Sequence, residues 1–312
     1  MKIYLAPMEG ITGYIYRNNY QAYFGNIDTY FSPFIFASTR RSLRSRELKD
    51  ILPENNENLH LVPQILSNDA KAFLHTCEEM KHFGYKEVNF NLGCPAKTVV
   101  SKGRGSGFLA KEKELDQFFD EIFSKADIDI SVKTRLGKDF PSEFHDLIKI
   151  YNKYPIKELI IHPRTQQDFY NNKPHMDMFQ EAVDNCIHKL CYNGDIFSKR
   201  DYDNFIRNFP QVDTIMLGRG IIGNPGLVDE LHGRDKITKE KLKEFHDCLY
   251  EDYQRVIDGE RNVLYKMKEI WCYLAPIFQG NKKAEKKIKK AQKLSQYEEG
   301  VREIFRLSMF KV

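Results

Sequence analysis

Asn89-Phe90-Asn91-Leu92-Gly93-Cys94-Pro95-Ala96-Lys97 is the stretch on which the reading of this chain turns. The run Glu87 to Leu92 is apolar and β-favouring, and it leads straight into Gly93-Cys94-Pro95. Glycine allows a sharp turn there, and proline stops the strand from continuing. Cys94 is therefore expected just past a strand end. The following segment, Thr98 to Gly107, sets Gly103, Gly105 and Gly107 among Lys102 and Arg104. Its glycine content predicts a mobile, basic loop. A lone cysteine at a strand end is either a small buried hydrophobe or a thiol acting on a bound substrate as nucleophile or acid. The stretch alone favours the first; the rest of the chain favours the second.

Outward from this strand, short β-rich runs recur at Ile3–Pro7, Thr29–Phe36, His60–Leu66, Glu87–Asn91, Ile130–Thr134, Glu158–His162, Lys189–Asn193 and Thr214–Gly218. Amphipathic, helix-like segments separate many of them, at Asp69–Phe83, Glu112–Ser124, Glu143–Tyr154, Asp177–Asn185 and Lys199–Phe209. Eight strands alternating with helices predict parallel βαβ units closed into a TIM (β/α)8 barrel. A doubly wound open sheet is the alternative, weakened because no GxGxxG follows the first strand. Beyond about Gly233, helical periodicity takes over at Lys239–Ile257, Val263–Phe278, Ala284–Leu294 and Gln296–Leu307, with Thr238 as an N-cap. The expected domains are a barrel over 1–235 and a small helical bundle over 236–312.

Chemistry in such a barrel sits at the C-terminal strand ends. Here those ends are polar: Pro7-Met8-Glu9-Gly10, Gln64, Asn91 with Cys94, Lys133-Thr134-Arg135, His162-Pro163-Arg164-Thr165, Asn193-Gly194-Asp195 and Gly218-Arg219-Gly220. Any one has an ordinary structural explanation, as a satisfied buried partner or a turn. Together they place amide, ammonium, imidazole, thiol and guanidinium groups around one mouth. The glycine-rich turns after the last two strands lie where TIM barrels often bind phosphate, and Arg219 adds a donor fork suited to it.

The whole chain of 312 residues carries only +4 formal charge, but the charge is uneven. From Lys236 onward there are 18 Lys+Arg against 12 Asp+Glu, while 1–235 holds 30 against 32. Lys282 to Lys293 alone carries seven lysines and one glutamate. A charge run is usually a solvated face, but beside a basic cleft it reads better as a surface for a nucleic-acid backbone. The six cysteines show no CxxC spacing and no histidine cluster joins them. Neither zinc nor a disulfide framework is expected, and reduced thiols suit the cytoplasm. No signal peptide and no membrane-spanning run is expected.

These motifs, in this order, resemble the tRNA-dihydrouridine synthases of bacterial type, and the resemblance runs the length of the chain. Ala6-Pro7-Met8-Glu9-Gly10, Gln64, Asn91-Leu92-Gly93-Cys94-Pro95 with Lys97, Lys133-Thr134-Arg135, His162-Pro163-Arg164-Thr165, Asn193-Gly194-Asp195 and Gly218-Arg219-Gly220 carry it, together with Lys266 to Leu274 in the helical region. The resemblance implies an FMN-binding barrel that reduces uridine to 5,6-dihydrouridine in tRNA, in the D-loop, with NADPH as reductant. Pro7, Met8, Glu9 and Gln64 would lie at the flavin, Lys133 and His162 at its polar edge. Asn193, Gly194, Asp195, Gly218 and Arg219 would hold the ribityl chain and phosphate. Cys94 would act as general acid, and Asn91, Lys97, Arg135 and Arg164 would contact the uridine. Lys266, Lys268, Lys286 and Lys290 would meet the RNA. A monomer without metal is expected. Two rivals remain: a flavin-dependent reductase or dehydrogenase of a small pyrimidine such as dihydroorotate, or the same chemistry on rRNA. A catalytically idle RNA-binding protein on this scaffold is the third class, disfavoured by Cys94 and the full flavin set.

Overall fold

Eight parallel β segments close on themselves in a computed structural model that describes residues 1–40 and 43–311. The strands are Lys2–Leu5, Thr29–Phe36 in two pieces, Leu61–Leu66 in two pieces, Glu87–Leu92, Asp129–Gly137, Leu159–Thr165, Leu190–Tyr192 and Thr214–Leu217. The breaks in the second and third fall at or beside Pro33 and Pro63, which lack the N–H a ladder needs. Each strand pairs with its chain neighbour, and the eighth lies beside the first, where Lys2 N donates to Asp213 O at 2.7 Å. This is the TIM-type barrel expected. Interior-facing Tyr4, Ala6, Phe31, Val62, Ile160, Cys191 and Met216 form one buried apolar cluster.

The helices Ala70–His82, Glu112–Lys125, Phe144–Tyr151, Met176–Asn185 and Lys199–Asn208 match the amphipathic segments to within a few residues. Asp69 caps the first, its side chain accepting from Ala72 N at 3.1 Å. Two further helices, Tyr14–Tyr23 and Ser45–Ile51, lie outside the helical segments expected. C-terminal helices run over Lys239–Val256, Glu260–Leu274, Lys282–Lys290 and Leu294–Leu307. Thr238 does cap the first of these, accepting from Lys241 N at 3.1 Å. The second stops at Leu274, short of the expected Phe278, because Pro276 cannot continue it. Phe278 instead pairs antiparallel with Phe310 in a two-strand ribbon.

The chain forms two compact units that do not follow chain order. One comprises 1–7, 29–195 and 209–216; the other 8–28, 196–208 and 217–312. The expected division at 235/236 thus falls inside the second unit, whose helix Tyr14–Tyr23 packs on Lys239–Val256. Tyr16, Tyr23 and Phe24 each meet the Phe245 ring there, at 5.2–5.9 Å.

The segment after Cys94 differs from the mobile loop expected. It forms a short helix, Lys97–Val100, and a tight turn, Gly105–Gly107, whose three residues are buried. Its glycines serve close approach: a Cβ on Gly107 would fall 2.7 Å from Val100 O.

Candidate active site

Register gathers the polar strand residues of the first unit. Asn91 lies opposite Lys133, and Arg135 opposite His162. With period-two alternation, 89 and 91 share a face with 131, 133 and 135, and with 160, 162 and 164. Two members of the apolar barrel cluster, Ile160 and Cys191, are cross-strand partners, so this face is the barrel interior.

Cys94 is presented by an Asx turn. Asn91 Oδ1 accepts from Gly93 N at 3.1 Å and from Cys94 N at 2.9 Å. The Cys94 carbonyl accepts from Ser106 N at 3.1 Å and from Ser106 Oγ at 2.9 Å. Asn91 is itself set by Nδ2 donating to Gln64 Oε1 at 2.7 Å, while Gln64 Nε2 donates to Asn89 Oδ1 at 2.8 Å. Asn89 in turn donates to Ser131 Oγ at 3.0 Å. A fully satisfied amide chain across three strands thus fixes the thiol's backbone; such buried networks resist reorientation. Gln64 is fully buried within it and Cys94 is half-buried.

Lys133 is half-buried, and its ammonium makes no hydrogen bond or ion pair with any described residue. Burial, then the nearby Arg135 guanidinium, pushes its ammonium down to about 8, and the Cys94 and Cys191 thiols act weakly the other way. A cation held this way lacks a counter-charge. Arg135 is 1% exposed; Nε donates to Gly93 O at 3.0 Å, Nη1 to Thr165 O at 2.7 Å, and its guanidinium lies over the Tyr170 ring at 5.3 Å. Burial lowers its pKa from the ordinary arginine value.

Arg164, expected at the uridine, is turned inward and 1% exposed. Its Nη1 and Nη2 hold Asp195 at 3.0 and 2.5 Å, Nη1 also meets His162 Nε2 at 2.9 Å, and Nε donates to Asn172 O at 2.7 Å. Asp195, expected at the ribityl chain, is the other half of that bidentate pair. Asn193 Nδ2 donates to Met216 O at 2.8 Å, and Gly194 packs so closely on Tyr192 that no Cβ fits. Pro7 is half-buried just past the first strand, and Lys97 is exposed at the start of its short helix.

The remaining expected residues belong to the second unit. Met8 closes a turn, its N donating to Thr12 Oγ1 at 2.7 Å and its carbonyl accepting from Thr12 N at 3.0 Å; Glu9 is exposed beside it. Gly218 opens the short helix Arg219–Gly223, and the Arg219 guanidinium lies over the Phe197 ring at 5.3 Å. Lys266 bonds Gly10 O, and Lys268 donates to Ala291 O at 2.9 Å, so both are half-buried and engaged. Lys286 and Lys290 are exposed on the outer face of Lys282–Lys290, whose inner face buries Ala284 and Ile288.

Three residues escaped the sequence reading. Tyr170 stacks on His162 with centroids 5.9 Å apart. Asp168 holds Thr165 N at 2.7 Å and Asn172 Nδ2 at 2.5 Å, steadying the loop that meets Arg164. Ser131 passes the amide chain to Glu87 at 2.8 Å. Only Asp168, an acid two residues past His-Pro-Arg-Thr-Gln, offered a local turn signal.

Barrel topology and the strand register define a (β/α)8 protein with polar groups gathered on the barrel's inner face. Solved structures share the fold: histamine dehydrogenase from Rhizobium sp. 4-9 (TM-score 0.57, 9% identity, 86% of this chain and 49% of that one) and morphinone reductase (TM-score 0.53, 10% identity, 78% and 90%). The dihydrouridine synthase family model matches residues 4–308, and the chain belongs to that family of flavin-dependent enzymes reducing uridine in tRNA. It is 27% identical over 265 residues, 80% of this chain and 78% of the relative, to a probable tRNA-dihydrouridine synthase of Staphylococcus aureus strain COL. It is 28% identical over 238 residues, 74% and 71%, to a tRNA-dihydrouridine(16) synthase of Neisseria meningitidis serogroup B.

Among the described residues, no helix is long and apolar enough to cross a membrane, and no group of three His, Cys, Asp or Glu is placed to hold a metal ion.

Proposed function

We propose that the chain uses FMN and NADPH to reduce a D-loop uridine of tRNA to 5,6-dihydrouridine, with Cys94 as the proton donor. The observation that carries this reading is the unpartnered, half-buried Lys133 ammonium on the strand adjoining the Asn91–Cys94 turn. The residues fit the cofactor: an ammonium without a counter-charge suits the polar edge of a ring that gains negative charge on reduction. When bound, FMN would supply hydride transfer, which no side chain can.

Every other part falls to the chain. Lys133 and His162 hold the polar edge of the ring; Gln64, Pro7, Met8 and Glu9 line it. Asn193, Gly194, Gly218 and Arg219 hold the ribityl chain and phosphate. Cys94, fixed at its backbone by Asn91 and Ser106, gives a proton to one carbon of the uracil C5=C6 bond. Asn91, Lys97 and Arg135 border the base, which must leave its stack to reach them. Lys286 and Lys290 meet tRNA phosphates, and the protein acts as a cytoplasmic monomer without metal.

The test is an anaerobic absorption series on purified protein. A flavin spectrum should bleach with NADPH and return on addition of unmodified tRNA. Reoxidation by a free pyrimidine but not tRNA would replace this reading with the small-molecule reductase; reoxidation by rRNA alone would move the substrate. Absence of flavin binding would overturn it.

A further inference from the structure

A guanidinium in contact with an imidazole nitrogen leaves only one arrangement of protons. Arg164 Nη1 lies 2.9 Å from His162 Nε2, and the guanidinium offers hydrogens and no lone pair. It stays protonated inside proteins. His162 Nε2 must therefore present its lone pair, which puts the ring's hydrogen on Nδ1 and keeps the ring neutral. That is the opposite of the tautomer favoured in water. The contact is held from several sides: Asp195 takes the Arg164 fork at 3.0 and 2.5 Å, and Asn172 O takes Nε at 2.7 Å. Asn172 is itself tied to Asp168, and the Tyr170 ring stacks on the His162 ring with centroids 5.9 Å apart. Arg164 is 1% exposed and His162 7% exposed, so water does not compete for Nε2.

We propose that Arg164, clamped by Asp195, is a positioning residue that holds His162 as the neutral Nδ1–H tautomer. His162 then meets the cofactor as a hydrogen-bond donor only. The proposal rests on the reading of His162 as a flavin-facing residue. Its consequence for the reaction is a division of labour. A neutral Nδ1–H imidazole can hydrogen-bond growing negative charge, but giving up that hydrogen would leave an imidazolate. His162 therefore stabilises charge and does not serve as the proton source, a part left to Cys94.

Nitrogen-15 NMR of full-length protein labelled at histidine reads the tautomer directly. The His162 signals are assigned by their loss in His162→Gln. Wild-type protein without FMN at pH 7 should show a protonated Nδ1 and an unprotonated Nε2. An Nε2–H ring or an imidazolium would overturn the proposal, and the tautomer itself is read on wild-type protein. In Arg164→Met the hydrogen should move to Nε2; retention of the Nδ1–H form there would equally refute a positioning role. Adding FMN to wild-type protein should shift the Nδ1 resonance. An unmoved resonance in an intact Nδ1–H ring would leave Arg164 as the tautomer's cause and sink the flavin-facing reading of His162, so the two failures are told apart.

Discussion

Gly105 stands directly against the main chain of Cys94. A Cβ at Gly105 would fall 2.7 Å from the Cys94 carbonyl oxygen and 3.1 Å from Cys94 Cβ, and the residue sits at φ +54°. Gly105 is therefore a backing surface for the backbone and Cβ that carry the thiol.

Gly105→Ala should destabilise the fold by about 1–3 kcal/mol, from backbone strain plus overpacking. It should also shift Cys94 and reduce dihydrouridine formation more than it reduces FMN binding. Thermal melts and FMN titration check this; a variant with wild-type Tm and activity would show that the glycine's close approach is dispensable.

Cys94→Ala should bind FMN and accept electrons from NADPH as the wild type does. Its single-turnover formation of dihydrouridine should fall by about 10²–10⁴-fold, the usual worth of a positioned proton donor. Loss of FMN binding in this variant would assign the thiol a cofactor-holding role instead.

Lys133→Met should separate stability from function. With its folded value near 8 against an ordinary 10.5, the charged lysine costs the FMN-free protein on the order of 3 kcal/mol. The sign follows from proton counts: between these values the unfolded chain binds more protons, so wild-type stability rises with pH. Below pH 8 the full cost is present. The variant without FMN should therefore melt higher than wild type at pH 7, with the advantage shrinking from about pH 8 to 10.5, while FMN affinity drops. Differential calorimetry across that range reads it; a variant no more stable at pH 7 would mean the ammonium is better solvated than its surroundings indicate.

Lys283, Lys286, Lys289 and Lys290 are exposed, whereas Lys287 already pairs with Glu299 and Glu303 at 2.5 and 3.3 Å. Changing the four exposed lysines to Gln should raise KM for tRNA and flatten its salt dependence. The log–log slope should fall by roughly 0.7–0.9 for each phosphate that a lysine no longer neutralises. NADPH oxidation by the bound flavin should be unaffected. An unchanged KM would return this helix to a plain solvated face.

The barrel was legible because its signals are local. Alternating apolar runs and helical periodicity appear within windows of a dozen residues, and Pro95 and Thr238 mark ends through their own local chemistry, whereas the periodicity carried one helix past Pro276, where the structure ends it at Leu274. The loop after Cys94 was misjudged for a related reason: glycine permits both mobility and close approach, and only the presence of Cys94 O and Val100 O beside Gly105 and Gly107 shows which applies.

The sequence by itself determined which residues arrive at the strand ends, since alternation and strand length settle that within each segment. It determined Cys94 past the fourth strand, Lys133 on the fifth and His162 on the sixth. Tertiary structure alone decided what those residues touch. Arg164 meets Asp195 across 31 residues of chain, Asn91 meets Gln64 across 27, and Lys268 meets Ala291 across 23. Such pairings depend on register, barrel closure and helix packing, so a guanidinium that a motif would offer to substrate is taken up instead by a carboxylate and an imidazole, while the Lys133 ammonium is left without a partner among the described residues.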